Sequence, residues 1–348
     1  MEDKLLTIVV PAYNVQKYVR QCLESLVRQS SRRFLVIVVD DGSKDEHTSE
    51  ICKEYAQRYP ELIQYVRQEN KGLGAARNTG LRMVHTPYVS FLDSDDWMCE
   101  RFVERVAEEL EKYNDDGIDI VFTLPIVYDN LTGQMADWMD KGLFEWIFSP
   151  TSRVVDMGIE RRIYGLEPNA CRRVFRTAFL RKYQFEFPEG TRWEDVYPHF
   201  YLLTHARKCM GIPDVGFYYR TNVPTSITAG GGRSRLEVIS VFQKTLDYLK
   251  NGGYDLEIVK YALKMYTSFA MWSMEVIHDG VRRELVDGLH GLYQSVPQNE
   301  IKALLNTQDL LNPAQRRFVK LMRGGRYTVY YDYQKEAVAN LLLDKIKC

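Results

Sequence analysis

The residues with the clearest chemical potential form a short acidic motif at the end of a predicted strand. Tyr88–Leu92 is a β-rich apolar run, and Asp93, Asp95 and Asp96 follow it directly. Because one residue separates Asp93 from Asp95, both carboxylates can reach the same side of an extended turn. Hard divalent ions such as Mg²⁺ and Mn²⁺ prefer carboxylate ligands. The motif therefore predicts a metal site or, alternatively, a solvated turn that caps the following helix.

Two further acid pairs stand at the ends of predicted elements. Asp40 and Asp41 follow the apolar run Phe34–Val39, and Glu194 and Asp195 precede a predicted helix that ends near residue 205. One carboxylate of the first pair could accept hydrogen bonds from a nucleotide base or a ribose hydroxyl, although an Asx turn explains the pair equally. A carboxylate of the second pair could take a proton as a general base, or simply begin the helix.

The elements that must position these acids alternate between strand and helix. Strands are predicted over 6–10, 34–39, 63–66 and 88–92, and helices over 18–29, 48–58 and 75–83. A turn is predicted over 11–14, because Pro11 ends the first apolar run. Such alternation predicts an α/β fold with parallel pairing. Parallel strands end at the same edge of a sheet, and ligands bind beyond that edge. The acids at 40–41 and 93–96, which each follow a strand, should therefore lie at one edge.

The remaining chain gives weaker patterns. A helix is predicted over 101–113 and a strand from Asp119, but residues 130–190 predict no clear element. The segment 216–220 resembles the end of a strand. The loop 222–232, rich in Pro, Thr and Gly, marks the best domain boundary, and residues 235–347 are mostly helical in pattern. We therefore expect an α/β domain over 1–230 and a mainly helical region over 231–348.

Composition excludes several classes of protein. The 348 residues carry a net charge of −1, which gives no global attraction to nucleic acid. The 6 cysteines form no closely spaced pair, a pattern typical of reduced thiols in a cytosolic protein. No apolar run approaches the ~18 residues of a transmembrane helix, and the N-terminal apolar run is too short for a signal peptide.

Four motifs, in this order and spacing, resemble the inverting glycosyltransferase family 2. They lie within about residues 5–100 and are Val10–Asn14, Asp40–Asp45, Asn70–Gly80 and Phe91–Asp96. Beyond that segment, Trp193–Asp195 matches the family pattern, and 218–220 with Ser226 matches it more loosely. The resemblance implies a GT-A fold, a mostly parallel sheet flanked by helices. Residues 1–100 would bind the nucleotide-sugar and residues 101–230 would bind the acceptor.

The resemblance also implies roles for individual residues. Asp195 would be the catalytic base, Asp93 would contact the ribose, and Asp95 would hold a Mn²⁺ or Mg²⁺ ion. Arg77 would lie near the nucleotide, and either acid of the Asp40–Asp41 pair could contact the base. The full nucleotide-sugar-binding set would be Pro11, Tyr13, Asp40, Asp41, Arg77, Asp93 and Asp95.

The implied reaction is transfer of a single sugar, from a UDP-sugar, to a hydroxyl of a glycan or lipid-linked oligosaccharide, with inversion. The chain lacks the Gln-x-x-Arg-Trp motif and the membrane spans of processive synthases, which favours a single addition. The family resemblance implies bacterial surface-polysaccharide synthesis as the setting of that reaction. A sugar-phosphate nucleotidyltransferase is one alternative, but the glycine-rich loop typical of that class is absent after the first strand. A non-catalytic GT-A-like scaffold is another, and the intact acids disfavour it.

The C-terminal region contains one segment with a second interpretation. Residues 315–323 mix basic and apolar side chains at helical spacing. This segment could lie on an anionic membrane surface, or pack its apolar side on the protein. Packing is the favoured interpretation. The expected location is cytoplasmic, with peripheral contact at the inner membrane face as the alternative that this segment would support.

Overall fold

The computed structural model of the chain describes residues 4–113, 117–223 and 230–324. The contacts divide the chain into two compact units, Met1–Ser226 and Ile227–Cys348. Ser226, which the family resemblance includes, lies outside the described residues, as does the part of the predicted helical region that follows residue 324.

The first unit opens with strands and helices in strict alternation. Its first elements are β1 (Leu6–Ala12), α1 (Val19–Val27), β2 (Phe34–Asp40), α2 (Glu46–Arg58), β3 (Ile63–Arg67), α3 (Leu73–Arg82) and β4 (Tyr88–Phe91). The short β5 (Trp97–Met98) and α4 (Phe102–Lys112) follow. Every residue of β1 is buried, as expected for a strand covered by helices on both faces. All seven elements predicted over residues 6–92 are present, with ends that shift by a few residues.

The second half of this unit contains the elements that the sequence left open. These are β6 (Ile118–Asp129), β7 (Met135–Asp137), α5 (Lys141–Phe148), β8 (Arg153–Asp156), a 3-10 helix (Arg161–Gly165), β9 (Arg173–Arg176), α6 (Thr177–Lys182), α7 (Val196–His205) and β10 (Lys208–Thr221). The predicted strand end at 216–220 is thus the last third of a long strand.

The strands form one sheet in the order β3-β2-β1-β4-β9-β6-β10-β5, with β7 paired to β6 and β8 to β10. β1 pairs in parallel with both β2 and β4, and β2 pairs in parallel with β3. β9 is antiparallel to both β4 and β6, and so joins the first parallel group to the parallel pair β6 and β10. The predicted α/β, mostly parallel sheet with flanking helices is confirmed.

The turn predicted over 11–14 is wrong for its first two residues, because β1 continues through Pro11 to Ala12. The carbonyl of Val9 accepts a hydrogen bond from the backbone N–H of Leu92, which follows β4. The carbonyl of Ala12 accepts one from the backbone N–H of Asp41, which follows β2. The backbone N–H and C=O groups of odd-numbered residues in β1 therefore point toward β4. Pairing with β4 ends at Val9, so the missing N–H of Pro11 interrupts no ladder bond.

The second unit is helical over its described residues. It contains a 3-10 helix (Arg233–Leu236), α8 (Glu237–Asn251), α9 (Leu256–Val276), α10 (Asp279–Ser295), α11 (Gln298–Asn306) and α12 (Pro313–Arg323). The longest helix, α9, buries residues on most of its faces, so it forms the centre of this bundle. Among the described helices of the chain, none combines the length and apolar character needed to cross a membrane.

Helix α12 contains the segment predicted either to pack or to meet a membrane. Its apolar residues Phe318, Val319 and Met322 are buried. Arg316 donates to the carbonyls of Leu305, Leu311 and Thr307, and Arg323 donates to those of Tyr293 and Gln294. Apart from that of Leu311, these carbonyls lie at the C-terminal ends of α10 and α11, where cations are favoured.

Candidate functional site

The first acid pair lies where β2 ends, and Asp40 anchors the loop that follows. The carboxylate of Asp40 accepts from the backbone N–H of Ser43 at 2.9 Å and from the hydroxyls of Ser49 and Tyr65. Burial alone would raise its pKa, but these hydrogen bonds outweigh burial and hold the pKa below the usual value. The side chain is fully buried. Asp40 therefore fixes the loop rather than offering free oxygens to a ligand.

Asp41 fixes the neighbouring loop over residues 68–72. Its carboxylate accepts from Gln68, from Asn70, and from the backbone N–H groups of Lys71 and Gly72, at 2.7–3.2 Å. Gly42, in the loop after β2, lies against the second loop and has a φ of +70°. A Cβ on this residue would lie 2.8 Å from the backbone nitrogen of Asn70. Only glycine permits this close approach. The structure therefore brings the second and third motifs together through Asp41.

The end of β1 lies beside this loop. Pro11 is buried, whereas Tyr13, the first residue after β1, has 37% of its surface exposed. Asn14 has a φ of +52°, and its side-chain oxygen accepts from the backbone N–H of Lys44 at 2.8 Å. This contact fixes the loop after β1 against the loop after β2, with the Tyr13 ring accessible at the edge of the sheet.

The acidic motif after β4 is held by Arg220, at the end of β10. The backbone N–H of Arg220 donates to Asp96 Oδ1 at 2.7 Å, and its Nε donates to the carbonyl of Asp95 at 2.7 Å. The remaining guanidinium nitrogens donate to Asn130 and Gln21. The guanidinium carbon lies 4.8–5.4 Å from the ring centroids of Tyr18, Trp97 and Tyr128.

The three acids of this motif concentrate negative charge. Burial together with the neighbouring Asp93 raises the pKa of Asp95 to about 6. Burial and both neighbouring acids raise the pKa of Asp96 well above its usual value. Asp96 Oδ2 is buried and has no hydrogen-bond partner within the part of the chain that the structure describes. A cation beside these groups would relieve their repulsion.

The donor set of this motif fits a hard divalent ion. Ligand atoms of Asp93, Asp96 and Cys171 lie within 4.8 Å of one another. The carboxylates suit Mg²⁺ or Mn²⁺, whereas burial raises the pKa of the Cys171 thiol well above its usual value. The sequence singled out Asp95 for the metal, whereas the group within 4.8 Å contains Asp93 together with Asp96, which had no predicted role, and does not include Asp95.

Arg77 lies between the acidic motif and the third acid pair. It belongs to α3, and only 1% of its surface is exposed. Its Nη2 donates to Asp93 Oδ1 at 2.9 Å, and its Nη1 donates to Asp195 Oδ1 at 2.8 Å and to Glu194 Oε1 at 3.2 Å. The sequence placed Arg77 near a nucleotide, but its guanidinium is bound to carboxylates of the protein.

The third acid pair differs in accessibility. The side chain of Asp195 is 19% exposed and that of Glu194 is 8% exposed. Burial raises the pKa of Asp195, while the neighbouring Arg77 opposes that rise. Burial and the charge of Asp195 raise the pKa of Glu194 to about 8. Asp195 Oδ2 also accepts from the backbone N–H of Ala170 at 3.2 Å. Asp195 is thus the better placed of the two to meet a substrate.

Sequence reasoning missed the residues that pack against Arg77 and the acids it contacts. The Phe187 ring lies 5.3 Å from the Arg77 guanidinium. Asn78 Nδ2 donates to the Phe187 carbonyl at 3.0 Å, and the Phe187 N–H donates to Asn78 Oδ1 at 2.7 Å. A Cβ on Gly74 would lie 2.1 Å from the Pro188 oxygen, so α3 needs glycine there. Asn78 and Gly74 were visible within the third motif, but Phe187 carried no signal.

Fold and site together define a GT-A domain with acids at the carboxyl edge of a parallel sheet. Residues 7–156 match the family model for Glycosyl transferase family 2.

The chain is also similar to individual proteins. The chain is 43% identical over 114 residues to Glycosyltransferase GlyA of Streptococcus pneumoniae, a match that covers 33% of this chain and 16% of GlyA. Its fold is similar to that of TarS 1–349 from S. aureus, solved in complex with UDP-GlcNAc, with a TM-score of 0.72 and 21% identity over 95% of this chain and 92% of that one. A mannosyltransferase from Pyrobaculum calidifontis, solved with GDP-Man and Mn²⁺, matches with a TM-score of 0.55 and 16% identity over 96% and 89% of the two chains.

Proposed function

We propose that this protein transfers a single sugar from a UDP-sugar to a hydroxyl of a glycan or lipid-linked saccharide, with inversion at the anomeric carbon. One observation carries the proposal: Arg77 bonds both Asp93 and Asp195, which are far apart in sequence. The predicted base therefore lies beside the predicted donor-binding acids. That proximity is what a transfer between donor and acceptor requires.

The proposed roles of the individual residues are those that the family resemblance implies, and the positions of these residues support them. The accessible Tyr13 ring, with Pro11 and the loop that Asp40 and Asp41 fix, would bind the nucleoside. Asp93 would contact the ribose. Asp95, with Asp96 beside it, would hold a Mn²⁺ or Mg²⁺ ion, which when bound supplies positive charge to the leaving diphosphate. The likeness to TarS, which was solved with UDP-GlcNAc, supports a uridine nucleotide as the donor.

Asp195 would act on the acceptor. Its carboxylate takes the proton of an acceptor hydroxyl while that oxygen bonds to the anomeric carbon and the bond to the diphosphate breaks. One displacement of this kind inverts the anomeric configuration. Glu194 is a poorer candidate for the base because it is nearly enclosed and its ionised form is strongly disfavoured.

The biological setting is also part of the proposal. Matched relatives include a poly(ribitol-phosphate) N-acetylglucosaminyltransferase of S. aureus and a minor teichoic acid biosynthesis protein of B. subtilis. These support synthesis of a bacterial surface polymer. A cytoplasmic location with peripheral contact at the inner membrane face remains a prediction, and the buried apolar side of α12 favours packing over membrane contact for that segment.

A donor screen tests the proposal. The full chain is incubated with UDP-, GDP- and dTDP-sugars in the presence of Mn²⁺ or Mg²⁺, and nucleotide release is followed by ³¹P NMR. We expect UDP from one UDP-sugar, and loss of that signal with EDTA. Pyrophosphate formed from UTP and a sugar phosphate would instead identify a nucleotidyltransferase. Absence of nucleotide binding in a calorimeter with Mn²⁺ present would favour a scaffold.

A further inference from the structure

The guanidinium of Arg77 contacts acids from both halves of the first unit, Asp93 before residue 100 and Asp195 and Glu194 after it. It is buried, yet its two terminal nitrogens point to different carboxylates: Nη2 to Asp93, and Nη1 to Asp195 and Glu194. Because the guanidinium is planar and rigid, the directions of these bonds are fixed relative to one another.

We propose that Arg77 is a positioning residue, which holds the donor-side acid Asp93 and the base Asp195 at a fixed separation without touching either substrate. This inference rests on the proposed function. The 1% exposure of Arg77 leaves no surface for a diphosphate, so its effect on substrates passes through the carboxylates that it binds.

The surroundings of Arg77 keep the guanidinium in place. The Phe187 ring covers it at 5.3 Å, a distance at which cation and ring attract. Two hydrogen bonds between Asn78 and the Phe187 backbone fix that ring against α3, one residue beyond Arg77. A site held by such a second layer keeps its reacting groups in productive geometry.

A rival explanation is that Arg77 only neutralises the three acids that it contacts. Neutralisation depends on charge alone. Positioning depends on the fixed directions of the two terminal guanidinium nitrogens, which together form a fork. The two explanations separate when the charge is retained without the fork, or when the cation and one acid are removed together. Removing Arg77 alone does not separate them, because it leaves the buried Glu194 and the partly buried Asp93 and Asp195 unpaired and destabilises the fold.

Two variants provide this separation. Arg77→Lys keeps one positive charge but replaces the fork with a single flexible ammonium. The double variant Arg77→Gln/Glu194→Gln is assayed above pH 8, where Glu194 of the wild type is ionised, so that it removes one cation and one anion and leaves the charge of the cluster unchanged. Arg82→Gln is the matched control. This arginine lies on the same helix but is exposed, and it pairs with Glu186 at 3.2 Å.

Each variant is measured in three ways: the affinity for UDP by calorimetry with Mn²⁺, kcat and the donor KM in UDP release, and the urea midpoint of unfolding. We expect both Arg77 variants to lose about 10- to 100-fold in kcat and to bind UDP more weakly, beyond any loss explained by the folded fraction. Arg82→Gln should match the wild type in all three.

Restored UDP affinity and kcat in the double variant would overturn the inference, because charge balance alone would then suffice. Losses that merely follow the folded fraction in both Arg77 variants would overturn it as well. If the wild-type chain neither bound UDP nor released it from any UDP-sugar, the proposed function itself would fail, a result distinct from either of these.

Discussion

Arg220 Nε donates a hydrogen bond to the carbonyl oxygen of Asp95 at 2.7 Å, across 125 residues of sequence. The backbone N–H of the same residue donates to the Asp96 carboxylate, so the end of β10 fixes the acidic motif at two points. The Trp97 ring stacks on Tyr218 at 5.0 Å and thus joins the same two segments again. The shape of the motif therefore depends on a strand that lies in the acceptor-side half of the domain.

Arg220→Lys should weaken binding of UDP in the presence of Mn²⁺ about tenfold, because a lysine cannot make the three side-chain hydrogen bonds of the guanidinium. Calorimetry with Arg28→Lys as the control checks this, since the Arg28 side chain is 76% exposed. Unchanged UDP affinity in Arg220→Lys would show that the acidic motif keeps its shape without this contact.

Asp95→Ala should weaken metal-dependent donor binding, because it removes one of the carboxylates predicted to hold the divalent ion. UDP affinity is measured with Mn²⁺ and with EDTA, and the two values should converge in the variant. Asp137→Ala removes an acid whose side chain is 62% exposed and serves as the control. A UDP affinity that neither the substitution nor EDTA changes would refute the metal role of Asp95.

Asp195→Asn should reduce kcat about 100- to 10,000-fold while UDP affinity stays close to that of the wild type, because the amide cannot accept the acceptor proton. The substitution keeps the side-chain volume and the oxygen that Arg77 contacts. Asp214→Asn, at a half-exposed acid, provides the same chemical change away from the site. Near-normal turnover in Asp195→Asn would mean that another group is the base.

The stability of the fold should depend on pH through His199, which is buried. Its Nε2 donates to the Tyr164 carbonyl, and its Nδ1 accepts from Arg173. Burial and the charges of Arg173 and Arg172 hold the pKa of His199 well below its usual value, so the folded state keeps it neutral. The unfolded chain binds a proton near pH 6.5, and folding is therefore disfavoured progressively as the pH falls below that value.

The measurement is the free energy of unfolding in urea at pH 7.5 and 5.5. The wild type should lose about 1 kcal/mol more than His199→Gln between these two values, because glutamine can mimic both hydrogen bonds without titrating. Equal losses in the two proteins would show that His199 does not contribute to the acid sensitivity.

The first hundred residues were predictable because their pattern is local. Continuous apolar runs identify buried strands, and their alternation with helices identifies parallel pairing. The position of Asp41 and Asp93 at the carboxyl edge of the sheet could therefore be predicted. Pro11 was misplaced for a physical reason. Whether a proline ends a strand depends on which neighbour its missing N–H faces, and that is a property of the sheet, not of the run.

Residues 130–190 were not predictable because their elements are short and pair across long distances. β9 has only four residues, and its antiparallel pairing with both β4 and β6 is fixed by tertiary contacts. For the same reason, sequence could name Arg77 and Asp195 as site residues but could not show that they bond. Their separation along the chain carries no information about their distance in space.

The most direct test follows the anomeric configuration of the sugar released from a UDP-sugar in water. The chain is mixed with an α-linked UDP-sugar and Mg²⁺, and ¹H NMR spectra are recorded before the free sugar equilibrates. Consumption of the donor with the β-anomer appearing first is the expected result, because a single displacement inverts the centre. Appearance of the α-anomer first, or no consumption of any UDP-sugar, would contradict the account.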